Sequence, residues 1–177
     1  MLKLVKPDLI YYEQYNEMMK EWREDGSRIA PWFLDKPCES LDSFYELIRN
    51  LDDIEKGMVD KQFSSSSSYF VIDENDKLIG ATRLAHYLTI DGLNTWGHIG
   101  YGVRPSERRK GYATEMLKLT LEEGRNRYHI NEFLLGAYET NIASVKTIEK
   151  CNGIFYRTVV DQSCDGRNKI IKQYWVK

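Results

Sequence analysis

The sequence predicts one mixed α/β domain, with a mostly antiparallel central sheet of about seven strands flanked by about four helices. Three observations carry that expectation. The 177 residues suit a single domain, residues 1–177, and are enough to bury a core without disulfide or metal staples. Apolar residues recur at helical spacing in some segments and in short β-rich runs bounded by turn residues in others. Read in order, the segments run β α α β β β α β α β β, with no internal repeat.

Leu2–Val5 reads as a short strand stopped by Pro7, and Asp8 as the cap of a helix running to about Glu24. Tyr11, Tyr15, Met18, Met19 and Trp22 form its apolar face, and Gly26 its stop. Pro31-Trp32-Phe33-Leu34 and Pro37 read as connecting loop. Ser40 caps a second helix with Leu41, Phe44, Tyr45, Ile48 and Leu51 on one face. The five serines Ser64–Ser68 are the one low-complexity run and are expected to form a mobile loop. Tyr69–Asp73, Leu78–Leu88 and Thr95–Val103, separated by turns at Glu74–Lys77 and Asp91-Gly92, read as an antiparallel meander.

Gly111 to about Arg127 is the strongest helix, with Ala113, Met116, Leu117, Thr120 and Gly124 on one face. Strand Glu132–Ala137 follows, then a short helix Ile142–Lys150 entered through Thr140-Asn141. Ile154–Asp161 and Lys169–Val176 read as strands around a turn at Asp165-Gly166, the second as an edge open to a partner chain. The span Thr95–Ala137 is long enough for a right-handed parallel crossover.

Composition excludes several function classes. Lys+Arg is 25 and Asp+Glu 27, a net charge of −2, which argues against a generally basic nucleic-acid binder. No apolar run approaches the roughly 20 residues of a membrane span, and Met1–Pro7 lacks a signal-peptide apolar region. Cys38, Cys151 and Cys164 form no CxxC pair, which argues against a disulfide framework or a zinc site and fits a cytoplasmic protein. Twelve Tyr, 6 Phe and 4 Trp argue against disorder.

The chemistry concentrates in Ile99–Ala113, where a strand ends, a basic loop follows and a helix starts at Gly111. The first N–H groups of a helix lack intrahelical acceptors, and the helix dipole adds positive potential there. Gly111 lets a ligand approach the backbone, Ala113 keeps the first turn small, and Arg104, Arg108, Arg109 and Lys110 concentrate positive charge. A phosphate or pyrophosphate is the natural partner. Gly111 is not followed by Lys-Ser/Thr, so a Walker-type nucleotide site is unsupported.

Arg108-Arg109-Lys110-Gly111-Tyr112-Ala113 resembles the Arg/Gln-x-x-Gly-x-Gly/Ala signature of the GNAT superfamily of N-acetyltransferases. Val103-Arg104-Pro105 resembles that family's strand end before the loop, and Asn141-Ile142-Ala143-Ser144 with Glu149-Lys150 its second cofactor motif. These segments look most like a bacterial subgroup of predicted acetyltransferases of undefined substrate. The resemblance implies acetyl-CoA as acyl donor, no metal, and direct attack by a primary amine in a ternary complex. The acceptor would be a small molecule or a peptide, with no nucleic-acid or membrane partner, and the protein a monomer or homodimer.

By the family's pattern, Arg108, Arg109, Lys110, Gly111, Tyr112 and Ala113 surround the CoA pyrophosphate, Thr114 lies close by, and the backbone near Val103 pairs with the pantetheine arm. Asn141 resembles the pantetheine-contacting asparagine and is equally a helix N-cap; Ser144 is either a cofactor contact or a solvent-facing residue.

One departure stands out: Ile148 occupies the position where many members carry a tyrosine that protonates the departing thiolate. His98 lies on the strand where relatives place a base, and a strand histidine is also a common structural residue. Tyr101, Tyr138 and Glu139 fall near the expected cleft. Trp22, Trp32, Phe33, Tyr156 and Trp175 are available to the acceptor site. The competing reading is a non-catalytic acetyl-CoA or CoA-binding sensor on the same fold.

Overall fold

The computed structural model describes residues 1–36, 38–58, 64–161 and 169–177. Pro37, Cys164 and the turn expected at Asp165-Gly166 lie outside the described residues.

The strands are β1 (Lys3–Val5), β2 (Ser66–Ile72), β3 (Leu78–Ala85), β4 (Ile99–Val103), β5 (Phe133–Tyr138), β6 (Ile154–Asp161) and β7 (Lys169–Val176). The helices are α1 (Tyr12–Asp25), α2 (Leu41–Glu55), the short α3 (Ile90–Asn94), α4 (Tyr112–Tyr128) and α5 (Ile142–Lys150). Capping follows the sequence. The Asp8 carboxylate accepts from the Ile10 N–H at 3.0 Å to start the turn leading into α1. Gly26 closes α1 in a left-handed conformation, and the Ser40 hydroxyl caps α2.

The seven strands form two antiparallel sheets, ordered β1-β2-β3-β4 and β5-β7-β6. The expected meander is β2-β3-β4. The expected parallel crossover is not a shared ladder. The sheets meet at one isolated Gly97–Leu135 bridge, where His98 N–H donates to the Leu134 carbonyl (2.7 Å) and Gly136 N–H to the Trp96 carbonyl (2.9 Å). Gly97 permits this joint: its φ is +74°, and a Cβ there would lie 2.0 Å from the Leu134 carbonyl oxygen. Beyond the bridge β4 and β5 share no ladder pair among the described residues, and a cleft opens between them.

Strand alternation sends neighbouring side chains to opposite faces. Phe70, Ile72 and Leu78 pack with Tyr15, Met18, Trp22, Phe33 and Phe44 beneath α1 and α2. Val71, Ile79 and Val103 pack on Met116 of α4, and Leu84 and Ile99 join Leu117, Leu121, Phe133 and Ile148 beneath α4 and α5. On α2 the buried stripe is Phe44, Leu47 and Leu51, whereas Leu41 and Tyr45 are exposed.

Three expectations are corrected. Ser66–Ser68 are buried within β2 rather than in a mobile loop, and partner side chains hold the Ser66 and Ser67 hydroxyls. His86 bonds the Ser65 and Ser67 hydroxyls at 3.0 and 2.9 Å, and Arg83 donates to Ser66 at 2.9 Å. Asp91-Gly92 lies inside α3, whose N-cap Thr89 accepts from the Gly92 N–H. Strand β7 is the middle of its sheet, so the edge is β6, which exposes Ile154, Phe155, Tyr156 and Val160.

Candidate active site

The cleft between β4 and β5 encloses about 500 Å³ and is lined from one side by Trp22, Ser27, Arg28 and Ala30, and from the other by Asn141, Ala143, Ser144 and Thr147 of the α5 region. Strand β4 forms its wall and is the last strand of its sheet. The Ala85 N–H bonds the His98 carbonyl, and the Arg104 N–H bonds the Ile79 carbonyl. By antiparallel alternation, Ile99, Tyr101 and Val103 therefore point their backbone groups away from β3, toward the cleft. An extended ligand can pair with such an open edge.

At the far end of β4 the chain passes twice through left-handed conformations, at Arg109 (φ +64°) and Gly111 (φ +85°). Helix α4 then starts with no side-chain cap, and nothing lies within 4 Å of a Cβ built on Gly111. The start of α4 thus borders open space with the helix dipole behind it, while the Thr114 N–H already donates to the Gly111 carbonyl at 3.1 Å.

The basic cluster is not four free cations. Arg104 is buried, its guanidinium held by Glu21 and the Leu78 carbonyl. Arg108 donates to Asp25 (2.7 Å), Ser27 (2.8 Å) and the Val103 carbonyl (3.2 Å). Lys110 pairs with Glu107 at 2.7 Å. Arg109 alone of the four makes no side-chain hydrogen bond or ion pair among the described residues. Burial raises the Glu21 carboxyl, but hydrogen bonds from Arg104 and Ser106 outweigh it and hold it at about 2.

The other candidates fall as follows. Val103 and Ala113 line the cleft, while Tyr112 and Thr114 are half-buried in the first turn of α4. Asn141 lines the cleft and also caps α5, its Oδ1 accepting from the Ser144 N–H at 3.1 Å. Ser144 faces inward: its hydroxyl lies 3.0 Å from the Tyr101 hydroxyl. Burial pushes the Tyr101 phenol up to about 12, against the hydrogen bond to Ser144, so it stays protonated.

His98 is elsewhere. It is buried, its Nδ1 accepts the Leu134 N–H at 3.0 Å, and its ring meets Phe133 edge-on. It does not line the cleft, and burial lowers its pKa to about 4. Ile148 is fully buried core. Of the aromatics named for an acceptor site, only Trp22 lines the cleft; Phe33 is core, and Trp32 and Tyr156 are exposed. Sequence reasoning missed Arg28 and Trp96, which meet Tyr138 at the cleft. Arg28 lies in no periodic or motif-bearing stretch, and Trp96 falls in the predicted Thr95–Val103 strand, whose pattern does not give the direction of its ring.

An acetyltransferase (GNAT) domain model matches residues 8–153. The chain belongs to the GNAT acetyltransferase family. Solved structures of GNAT fold resemble it over nearly its whole length. A Vibrio cholerae spermidine/spermine N-acetyltransferase SpeG variant is 19% identical with a TM-score of 0.65, covering 99% of this chain and 92% of that one. A chimera of that enzyme gives 0.66 at 19% identity, covering 99% and 94%. A dodecameric form of it gives 0.63 at 18%, covering 99% and 92%. No curated protein sequence matches the chain. At these identities the structural likeness speaks to fold. Among the described residues no helix is long and apolar enough to cross a membrane, and no His/Cys/Asp/Glu group is placed to hold a metal ion.

Proposed function

We propose that this GNAT domain transfers the acetyl group of acetyl-CoA to a primary amine by direct attack in a ternary complex. The observation that carries the reading is the continuity of the open β4 edge with the uncapped start of α4 at Gly111. It supplies a track for an extended acyl donor that ends in an anion cradle.

Arg109 and the α4 first-turn amides hold the donor's phosphates, with Arg108, Lys110 and Thr114 shaping the loop. The outward backbone groups of Ile99, Tyr101 and Val103 pair with the pantetheine arm, with Asn141 and Ser144 opposite. Holding both substrates in one cleft converts the reaction into a nearly unimolecular step. The amine lone pair forms the C–N bond as the C–S bond breaks; the nitrogen gives up one proton and the thiolate gains one. The Tyr101 hydroxyl, on β4, donates that proton in place of the tyrosine that Ile148 replaces. Among the described residues no carboxylate or imidazole lines the cleft, so the amine releases its proton to water. His98 positions the sheet joint and takes no part in proton transfer.

Ile148 favours the second reading, a CoA-binding module without catalysis. Thiol release from acetyl-CoA across a panel of amines separates them: acceptor-dependent release supports the transferase, and saturable binding with no release to any amine supports the module. The protein acts as a monomer or homodimer, with the exposed apolar edge of β6 as the contact in the dimer.

A further inference from the structure

Among the described residues the cleft is lined by cationic charge and by no acid. Its two lining arginines are Arg108, already tied to Asp25 and Ser27, and Arg28. The Arg28 Cζ lies 4.5 Å from the Trp96 ring centroid and 4.9 Å from that of Tyr138, and the two rings meet edge to face at 4.7 Å. Its guanidinium makes no hydrogen bond or ion pair among the described residues. Aromatic faces hold the cation while leaving its N–H donors available.

Trp22 is 2% exposed and lines the cleft, and its indole N–H is the one buried side-chain polar atom without a hydrogen-bond partner among the described residues. The buried acid of this region, Asp161, accepts the Tyr138 hydroxyl at 2.6 Å and does not line the cleft. Lys169 adds a further cation 5.4 Å from the Tyr138 ring.

Such a site repels a second ammonium group and suits an anion. Arg28 also sits at the joint end of the cleft, beside Trp96, whereas the phosphate cradle lies past the other end of β4. Resting on the transferase reading, we propose that the acceptor is an amine that also bears a carboxylate, selected by Arg28, and not a polyamine of the kind named for the SpeG enzymes. The planar guanidinium fork matches a carboxylate bidentately.

Matched pairs test this: amino acids against their amides, with spermidine alongside, compared as kcat/KM corrected for the fraction of neutral amine. Wild type should prefer the acid of a pair by about tenfold or more, the scale of a charge-assisted hydrogen bond. Arg28→Gln should remove that preference through KM, lower the acids by at least about tenfold more than the amides and leave acetyl-CoA affinity intact; Arg28→Lys should keep part of it. A preference for spermidine or for the amides, an equal loss on acids and amides, or weakened acetyl-CoA binding in Arg28→Gln overturns the proposal. If acetyl-CoA binds but no amine reacts, the transferase reading fails separately. The Tm shifts that each acid and amide give the CoA complex then decide this proposal, and equal shifts within the pairs overturn it.

Discussion

Replacing His98 separates a structural joint from a catalytic base. His98→Phe keeps an aromatic ring against Phe133 but removes the acceptor of the Leu134 N–H, a bond of 3.0 Å at the meeting of the two sheets. A buried N–H left unsatisfied costs about 1–3 kcal/mol, which lowers Tm by roughly 2–12 °C in a chain of this size. His98→Asn offers an amide oxygen to the same N–H and should recover most of that loss. The pH dependence has a definite sign. Burial depresses the folded-state pKa to about 4 from 6.5, so the unfolded chain binds the extra proton between those values. The contribution is complete above pH 6.5 and is lost as pH falls toward 4, by about 3 kcal/mol in all and about 2 kcal/mol by pH 5. Urea unfolding at pH 7 and pH 5 measures both effects, and both variants should lack the histidine part of the acid slope. Acetyl transfer by His98→Asn should stay within about threefold of wild type in kcat/KM. A stable His98→Asn protein with kcat reduced about a hundredfold or more would refute the reasoning and make His98 the base.

Other outcomes follow from the same geometry. Gly111→Val should abolish the acetyl-CoA-dependent rise in Tm while costing the apo fold only about 1–2 kcal/mol, since φ is +85° but nothing crowds the position. Tyr101→Phe should lower kcat by about a hundredfold, the low end for a general acid, with CoA affinity by calorimetry nearly unchanged; an unaltered kcat removes Tyr101 from the step. Glu21→Ala should destabilise by about 3 kcal/mol by leaving the Arg104 guanidinium buried without its main partner. With Glu21 present, the stability it contributes is complete above its unfolded value of 4.5 and is lost as pH falls toward about 2, a slope that Glu21→Ala should lack in acid titration by circular dichroism.

The sequence was most legible where one periodicity met one cap. Gly26 and Ser40 mark helix ends that the structure keeps, Asp8 caps the 3-10 turn Leu9–Tyr11 that runs into α1 rather than α1 itself, and the face from Tyr11 to Trp22 is the core stripe expected. It was least legible where tertiary partners override composition. Five serines look like a loop, yet His86, Arg83 and Tyr128 supply partners from distant segments to the Ser66 and Ser67 hydroxyls, and Ser66–Ser68 lie in a buried strand. Arg104, Arg108 and Lys110 read as one anion site, but each has a carboxylate partner, and the two on α1, Glu21 and Asp25, are announced by no local pattern. Strand order in the last sheet depends on which neighbours pair, which left the edge assigned to β7 instead of β6. The departure at Ile148 was visible as a missing hydroxyl, whereas the Tyr101 hydroxyl across the cleft depended on the direction of a β4 side chain.

Thermal unfolding of the pure protein with acetyl-CoA, CoA and ATP in turn tests the central claim most directly. A ligand at 100 times its Kd stabilises the fold by about 2.7 kcal/mol, a rise of roughly 5–11 °C here. A rise with acetyl-CoA and with CoA, and none with ATP, is expected from the β4 edge and the Gly111 helix start acting together. No rise with either CoA ligand would contradict the account, and the transferase reading would fall with it.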